Sequence, residues 1–450
     1  MKNFTVFFRV GVVVIFFHLL EKIFYYICSI LGRIINLVFY YFMQKKFQSV
    51  AADESSELIG REHDIYQKKN DIRSEYARDY TRILHSLAFR RLKHKTQVFF
   101  NGADNDHICT RIEHVLHVES VACTIAKELG LNVELTSAIA LAHDLGHAPF
   151  GHQGEEVLDN LVAHYLSSDF WHERNGLYLV DQVELLADEK GNFRNLDLTY
   201  AVRDGIISHC GELDDNDLRP RSEYIDLKDF DSKGKYQSYT WEGCVVKLAD
   251  KIAYLGRDIE DAKMLGYFSK EQLDELQDLS FVRKDKSVNT TVIMHDLILD
   301  LCENSDPSVG LRLSPTMSEH LNRIKKFNYK NIYSNPRLNP YKAYSELVVS
   351  QLFEYLSNLY EGPETIRTIV SKNYERKQFV EDFVSFLVVY CYPEIMDEIK
   401  KFKSIGNKYK NKKIYGDLSD EKAYMKAIVD FIAGMTDIYA VKCFDELLRC

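Results

Sequence analysis

Proline and tryptophan are rare in this chain, eight and two among 450 residues. Proline removes a backbone donor and breaks helices, so its scarcity suits long helices with short connections. No Cys-x-x-Cys pair occurs, and the nine cysteines (28, 109, 123, 210, 244, 302, 391, 443 and 450) are scattered. That excludes a disulfide framework and reads as reduced thiols in a cytosolic setting. Positive charge is not in excess either. A formal net charge of −10 argues against a dedicated nucleic-acid binder, while leaving room for a small anion held in a local basic pocket. Sustained period-two alternation is rare, and only short pieces such as TQVFF (96 to 100) invite a strand. There is no internal repeat. The one biased tract, KKFKSIGNKYKNKK (400 to 413), reads as a solvated helix end and loop, with a phosphate-binding edge as the alternative.

What is present is an ordinary globular composition, 46% apolar and 28% charged, in a chain long enough for two or three lobes or one extended helical domain. Residues 4 to 43 stand apart, strongly apolar and aromatic, with Arg9, His18, Glu21, Lys22 and Arg33 among them. The run from Val10 to Leu20 is too short to span a bilayer; Ile23 to Met43 is long enough but carries Arg33 near its middle. Two readings stand: a membrane-anchoring or interfacial hairpin with Lys45 and Lys46 on the cytoplasmic side, or an over-extended reading frame ahead of a cytosolic start at Met43. No A-x-A-like site follows, which speaks against a cleaved signal peptide. The expected location is cytoplasmic, and a membrane is a partner only if residues 1–43 are part of the protein.

From Val50 onward helical periodicity dominates. ARDYTRILHSLAFRRLKHK (77 to 95), TRIEHVLHVESVACTIAKELG (110 to 130) and EGCVVKLADKIAYLGRDIEDAKMLG (242 to 266) carry apolar residues at three- and four-residue spacing. Gly130 is a fitting C-cap for the second. Residues 188–196 and 211–238 read as polar loops. The expected fold class is all-α.

The stretch ALAHDLGHAPFGHQGE (140 to 155) gathers three histidines and two carboxylates around Gly146, Pro149, Gly151 and Gly154. Clustered histidines are costly unless each ring has a partner, and the glycines imply a backbone bent around something. His143 and Asp144, adjacent on a helix, can reach one metal if other helices complete the shell. His114, on the preceding helix, and Asp250, behind the apolar Val245, Val246, Leu248 and Ala249, are the candidate partners. Two imidazoles and two carboxylates make a mixed shell suited to one manganese, iron, cobalt, nickel or magnesium ion.

This order, H…HD…D, with HDLGHAPFGHQGE around the dyad and ADKIAYLGRDIEDA around the last acid, resembles the HD-domain metal-dependent phosphohydrolases. More closely it resembles the deoxynucleoside triphosphate triphosphohydrolases, including bacterial dGTPase-like proteins. SEYARDYTRILHSLAFRRLKHKTQVF (74 to 99), FWHERNG (170 to 176) and VDFIAGMTDIYA (429 to 440) extend the likeness over most of the chain after Met43. It implies an HD core at 60–270, a C-terminal helical region at 271–450, and hydrolysis of a dNTP, with dGTP a candidate, to a deoxynucleoside and tripolyphosphate.

The likeness also assigns expectations to residues. Arg111, one turn before His114, and Lys251, next to Asp250, are to contact a triphosphate of about four negative charges. His152 with Glu155 is the implied catalytic pair; His147 and His172 match catalytic histidines of related enzymes, and which histidine gives the proton stays open. Tyr254 and Asp258 follow Asp250 at four and eight residues, on one helix face: a ring against C2′ to exclude a 2′-hydroxyl, and a carboxylate to accept from the 3′-OH. Gln97 adds a second 3′-OH contact by resemblance. Glu260 and Asp261 read as capping or solvating the helix end, and His209 as near the pocket. Oligomers and a nucleotide activator are implied as well. The chain departs from the family at Ile438, where arginine is common. Two rivals remain: an HD phosphohydrolase of another specificity, and a non-catalytic nucleotide-sensing or single-strand-binding protein.

Overall fold

Side-chain caps punctuate the helices. In this computed structural model, which describes residues 45–55, 57–63, 65, 70–100, 107–210, 216–279, 290–372, 377–392 and 408–449, Ser74 accepts from the Ala77 amide and opens α1 (Glu75–His85). Ser86 ends that helix in an extended conformation and itself accepts from the Phe89 amide, opening α2 (Leu87–Arg91). The periodic stretch 77 to 95 is therefore two helices, because a serine at the junction caps the second better than it continues the first. The apolar segment 1–43 lies outside the described residues, as do 400–407 of the basic tract.

The expected long helices form. Helix α3 (Arg111–Leu129) begins where the Glu113 carboxylate accepts the Thr110 amide at 2.8 Å and ends at Gly130, at φ +87°. Only a residue without Cβ takes that left-handed cap cheaply. Helix α4 (Val133–Ala142) is capped by Asn132. Then come α5 (Gly151–Leu166), α6 (His172–Tyr178), a two-stranded hairpin of β1 (Leu185–Ala187) and β2 (Phe193–Asn195), α7 (Tyr200–Ser208) and α8 (Trp241–Met264). Helices α3, α4 and α8 pack mutually, burying Ile125, Leu135, Ile139, Val245 and Val246 completely. Each such side chain contributes about 1.5–3 kcal/mol, so the helices from which the dyad, His114 and Asp250 are presented are anchored in the core.

Helices α9 (Lys270–Leu279), α10 (Thr290–Asn304) and α11 (Pro315–Asn328) extend this core, which runs from Phe47 to Leu338. A second apolar cluster joins Leu158 and Val162 of α5 to α12 (Asn339–Ser357), α13 (Thr365–Ser371), α14 (Gln378–Tyr390), α15 (Glu421–Ala433) and α16 (Asp437–Leu448). Among the described residues the fold is all-α apart from the hairpin. Segment 188–196 is not simply a loop: Phe193–Asn195 pairs antiparallel with Leu185–Ala187 around a turn in which Asp188 accepts the Lys190 and Asn192 amides. TQVFF forms no strand, only a single bridge between Thr96 and Thr110. No helix among the described residues is long and apolar enough to cross a membrane.

Candidate metal centre and cleft

The His-Asp dyad sits past the end of a helix. Helix α4 stops at Ala142, His143 is its C-cap, and residues 143–146 form a turn; the adjacent-helix geometry expected from sequence is replaced by this tighter bend. Gly146 is what lets the turn close on α6. A Cβ there would stand 2.0 Å from the His172 carbonyl oxygen and 2.2 Å from the Gly176 nitrogen, and Asn175 Nδ2 donates to the Gly146 carbonyl at 2.7 Å. Because backbone atoms cannot yield, Gly146→Ala is expected to cost about 3 kcal/mol or more, read as a lowered denaturant midpoint.

His143 Nδ1 donates to the Ala140 carbonyl at 2.7 Å, while Nε2 is buried and without a hydrogen-bond partner. A buried imidazole nitrogen oriented from behind and unsatisfied in front is what a metal ligand requires. Ligand atoms of His114, His143 and Asp144 lie within 4.8 Å of one another. Asp250 Oδ1 completes the set, 3.0 Å from His114 Nε2 and 3.9 Å from His143 Nε2. Two imidazoles and two carboxylates so placed make a donor set of the kind that suits one divalent ion. Burial opposes the charge on Asp144, but His147, His143 and the Arg111 guanidinium together hold its carboxyl well below the usual range. Arg111, 1% exposed, donates from Nη1 to Asp144 Oδ2 at 2.7 Å, while its Nε and Nη2 are buried without partners.

The centre opens into a cleft of about 310 Å³ lined by Gln97, Arg111, His114, Asp144, His147, His152, His172, Asp250, Lys251, Tyr254 and Asp258. Of the candidate catalytic, substrate-binding and metal-ligating residues, His143 and Glu155 do not line it. Gln97 Oε1 is buried and unpartnered. A second cavity, about 560 Å³ and lined by Arg91, Glu184, Phe386 and Tyr439 among others, is larger, but the histidine and carboxylate clusters are on the first, and chemistry rather than size selects it.

Glu155 organises the histidines. Both its oxygens face His172 Nδ1, at 3.1 and 3.0 Å, and Oε1 also accepts the His172 amide. His152 Nδ1 stands 3.3 Å and His147 Nδ1 3.6 Å from Oε2. The His147 and His172 rings stack at 3.7 Å. Burial opposes charge on both, and the neighbours decide: Glu155 and Glu173 push His172 up to about 9, whereas burial, Arg111 and His172 hold His147 well below the usual histidine value. The two stacked rings are thus pushed in opposite directions. His152 is largely exposed at the rim. Buried His209 is pushed down to about 4, chiefly by burial, and its ring lies 5.1 Å from that of His143.

Along α8 the spacing of Asp250, Tyr254 and Asp258 does place all three on the cleft, but Asp258 already has a partner: Tyr333 donates to its Oδ2 at 2.5 Å. Burial pushes Asp258 up to about 7. Below about pH 4 it is protonated folded and unfolded alike; between there and about 7 the folded chain keeps a proton the unfolded chain releases, so stability falls as pH rises through this window. Asp258→Asn is expected to flatten that decline, measured as melting temperature at pH 5 and pH 8 with chelator present in both proteins. Asp261 does not solvate the helix end: it is 4% exposed and accepts the Cys109 amide at 3.0 Å.

Sequence reasoning missed a whole wall. Lys233, Lys325, Tyr329, Tyr333, Tyr341 and Lys342 also line the cleft. Residues 325, 329 and 333 repeat the four- and eight-residue spacing of 250, 254 and 258, a signal that would have marked a second functional helix face.

An HD-domain family model matches residues 111–255, and a phosphohydrolase-associated domain model matches 311–387. The chain is 36% identical over 345 residues to a deoxyguanosinetriphosphate triphosphohydrolase-like protein of Caldanaerobacter subterraneus, covering 76% of this chain and 89% of the relative. It is 30% identical over 437 residues to a like-named protein of Bartonella henselae, covering 90% and 96%, and 37% over 290 residues to one of Desulfatibacillum aliphaticivorans, covering 64% and 74%.

Proposed function

The chain belongs to the family of HD-domain, deoxyguanosinetriphosphate triphosphohydrolase-like proteins, and from that membership we propose that it hydrolyses deoxynucleoside triphosphates, dGTP among them, to deoxynucleoside and tripolyphosphate. The observation that carries this reading is the sharing of one cleft by a metal-ready His114, His143, Asp144 and Asp250 set, cations for phosphate, and groups suited to a deoxyribose.

A divalent ion held by the four ligands, one of manganese, iron, cobalt, nickel or magnesium, would polarise the phosphoryl group and favour ionisation of a nearby water. The chain supplies the rest. Arg111 offers Nε and Nη2, two buried donors without partners, to phosphate oxygens, and Lys251 adds a second cation in the same wall. Fixed cations at the α-phosphate stabilise the charge that develops as water attacks phosphorus and the O5′ bond breaks. The departing O5′ takes a proton. His172 suits that transfer: Glu155 occupies Nδ1 and keeps the ring charged, leaving Nε2 as the donor toward the cleft. Gln97 Oε1 is a buried acceptor for a 3′-OH, and Tyr254 fills the space a 2′-hydroxyl needs. Asp258, protonated near neutrality and bonded to Tyr333, meets the sugar as part of a hydrogen-bonded pair rather than as a bare carboxylate. Homo-oligomers, a nucleotide activator and a cytoplasmic location belong to the same proposal.

Anion-exchange analysis after incubation with each dNTP and manganese tests it. Tripolyphosphate with deoxynucleoside supports the reading; pyrophosphate or orthophosphate assigns another HD phosphohydrolase chemistry; no product, with mixed dNTPs present as activators, favours nucleotide sensing.

A further inference from the structure

The segment VDFIAGMTDIYA contributes no residue to the catalytic cleft, yet it holds a buried carboxylate aimed at the backbone on which the cleft is built. Asp437 is the first residue of α16 and 4% exposed. Its Oδ1 accepts the Phe150 amide and its Oδ2 the Thr96 amide, each at 2.8 Å. Phe150 ends the loop that begins with the His-Asp dyad; Thr96 precedes Gln97. From the other side Lys95, 2% exposed, donates from Nζ to the carbonyl oxygens of His147 and of Ala433, the latter at 3.0 Å.

Three segments distant in sequence, 95–97, 147–150 and 433–437, are thus tied by four hydrogen bonds to two side chains. The loop needs holding: Phe150 at φ +65° and Gly151 at φ +61° are consecutive left-handed residues, a strained path for a bulky side chain that persists only where neighbours determine it. Ordinary core packing uses apolar side chains at such a junction. A carboxylate with each oxygen on a different loop instead fixes the distance between those loops, and with it the separation of Gln97 from the metal ligands.

We propose that Asp437, supported by Lys95, is a positioning residue for hydrolysis: the C-terminal helix sets the register between the loop carrying the metal ligands and the segment carrying the 3′-OH contact. This rests on the proposed reading of Gln97. Asparagine keeps the size of Asp437 but offers one acceptor oxygen where two amides need one each. The full chain and its Asp437→Asn variant are to be compared on dGTP and on 2′,3′-dideoxyguanosine triphosphate with manganese, and by amide hydrogen exchange. The variant is expected to lose about 10–100-fold in kcat/KM on dGTP and much less on the dideoxy analogue, because only the former uses the displaced Gln97. Amides of 95–97 and 146–151 are to lose protection together. An unchanged preference for dGTP over the analogue, with protection lost only within 436–448, overturns the proposal and leaves Asp437 a helix anchor. Should the Asn variant not fold, Asp437→Glu, which keeps both acceptors on a longer stem, is read the same way. If the wild-type chain turns over neither nucleotide, the catalytic reading has failed, and exchange alone decides whether the three segments are coupled through Asp437.

Discussion

Asp144→Ala is expected to abolish turnover, a loss on the order of 10³-fold or more, and to destabilise the chain at the same time. Both follow from one carboxylate with two duties. It faces the ligand atoms of His114 and His143, and it is the ion-pair partner of Arg111 at 2.7 Å, with side chains 5% and 1% exposed. Removing one partner of a buried pair strands the other, at a cost of about 3–5 kcal/mol. The two duties can be separated. Arg111→Met in the Asp144→Ala background removes the stranded cation, so the double variant is expected to regain much of the lost stability but none of the activity. Melting temperature, bound-metal content and kcat on the four proteins of this cycle measure the coupling directly. Additive stability losses would contradict the pairing, and metal retained at wild-type level in Asp144→Ala would remove Asp144 from the ligand set.

Glu155→Gln is expected to lower kcat by about 10²–10⁴-fold while changing KM little. Glu155 lies behind the cleft wall and touches the reaction only through the histidines. Against burial, which lowers it, the Glu155 and Glu173 carboxylates keep His172 charged, up to about 9. A donor histidine is active below its pKa, so wild-type kcat is to fall off only as pH rises toward that value. Glutamine cannot stabilise the cation, so in the variant the alkaline limb is to move down toward or below the ordinary histidine value of about 6.5. A pH–kcat profile for both proteins checks the direction. An identical alkaline limb in the two would show that another group, His147 or His152, delivers the proton.

His114, His143, Asp144 and Asp250 could be named from sequence because a metal shell demands particular side chains; that they lie close together is what the structure adds. The cap at Gly130 was legible because a C-cap glycine acts through its own backbone, within a few residues. What sequence could not show was closure by distant segments. Lys325, Tyr329 and Tyr333 reach the cleft from the end of α11, and nothing local to that helix states which neighbour its polar face meets. Asp258 illustrates the consequence. Its helix position was read correctly from spacing, but its partner Tyr333 is 75 residues away, and the burial that pushes its carboxyl up comes from packing against segments distant in sequence, so neither was visible. The 77 to 95 stretch failed differently, because Ser86 interrupts a periodicity that continues on both sides of it. Residues 1–43 lie outside the described structure, so their two readings are as sequence left them.

The account rests on attack at the α-phosphorus with departure of O5′. Hydrolysis of dGTP in ¹⁸O-labelled water, followed by mass analysis of both products, tests this most directly. The account predicts one labelled oxygen in tripolyphosphate and none in the deoxynucleoside. Label in the deoxynucleoside would mean attack at C5′, label in a deoxynucleoside monophosphate would mean that pyrophosphate and not O5′ leaves the α-phosphorus, and label in pyrophosphate or orthophosphate would mean attack at the β- or γ-phosphorus; each would contradict it.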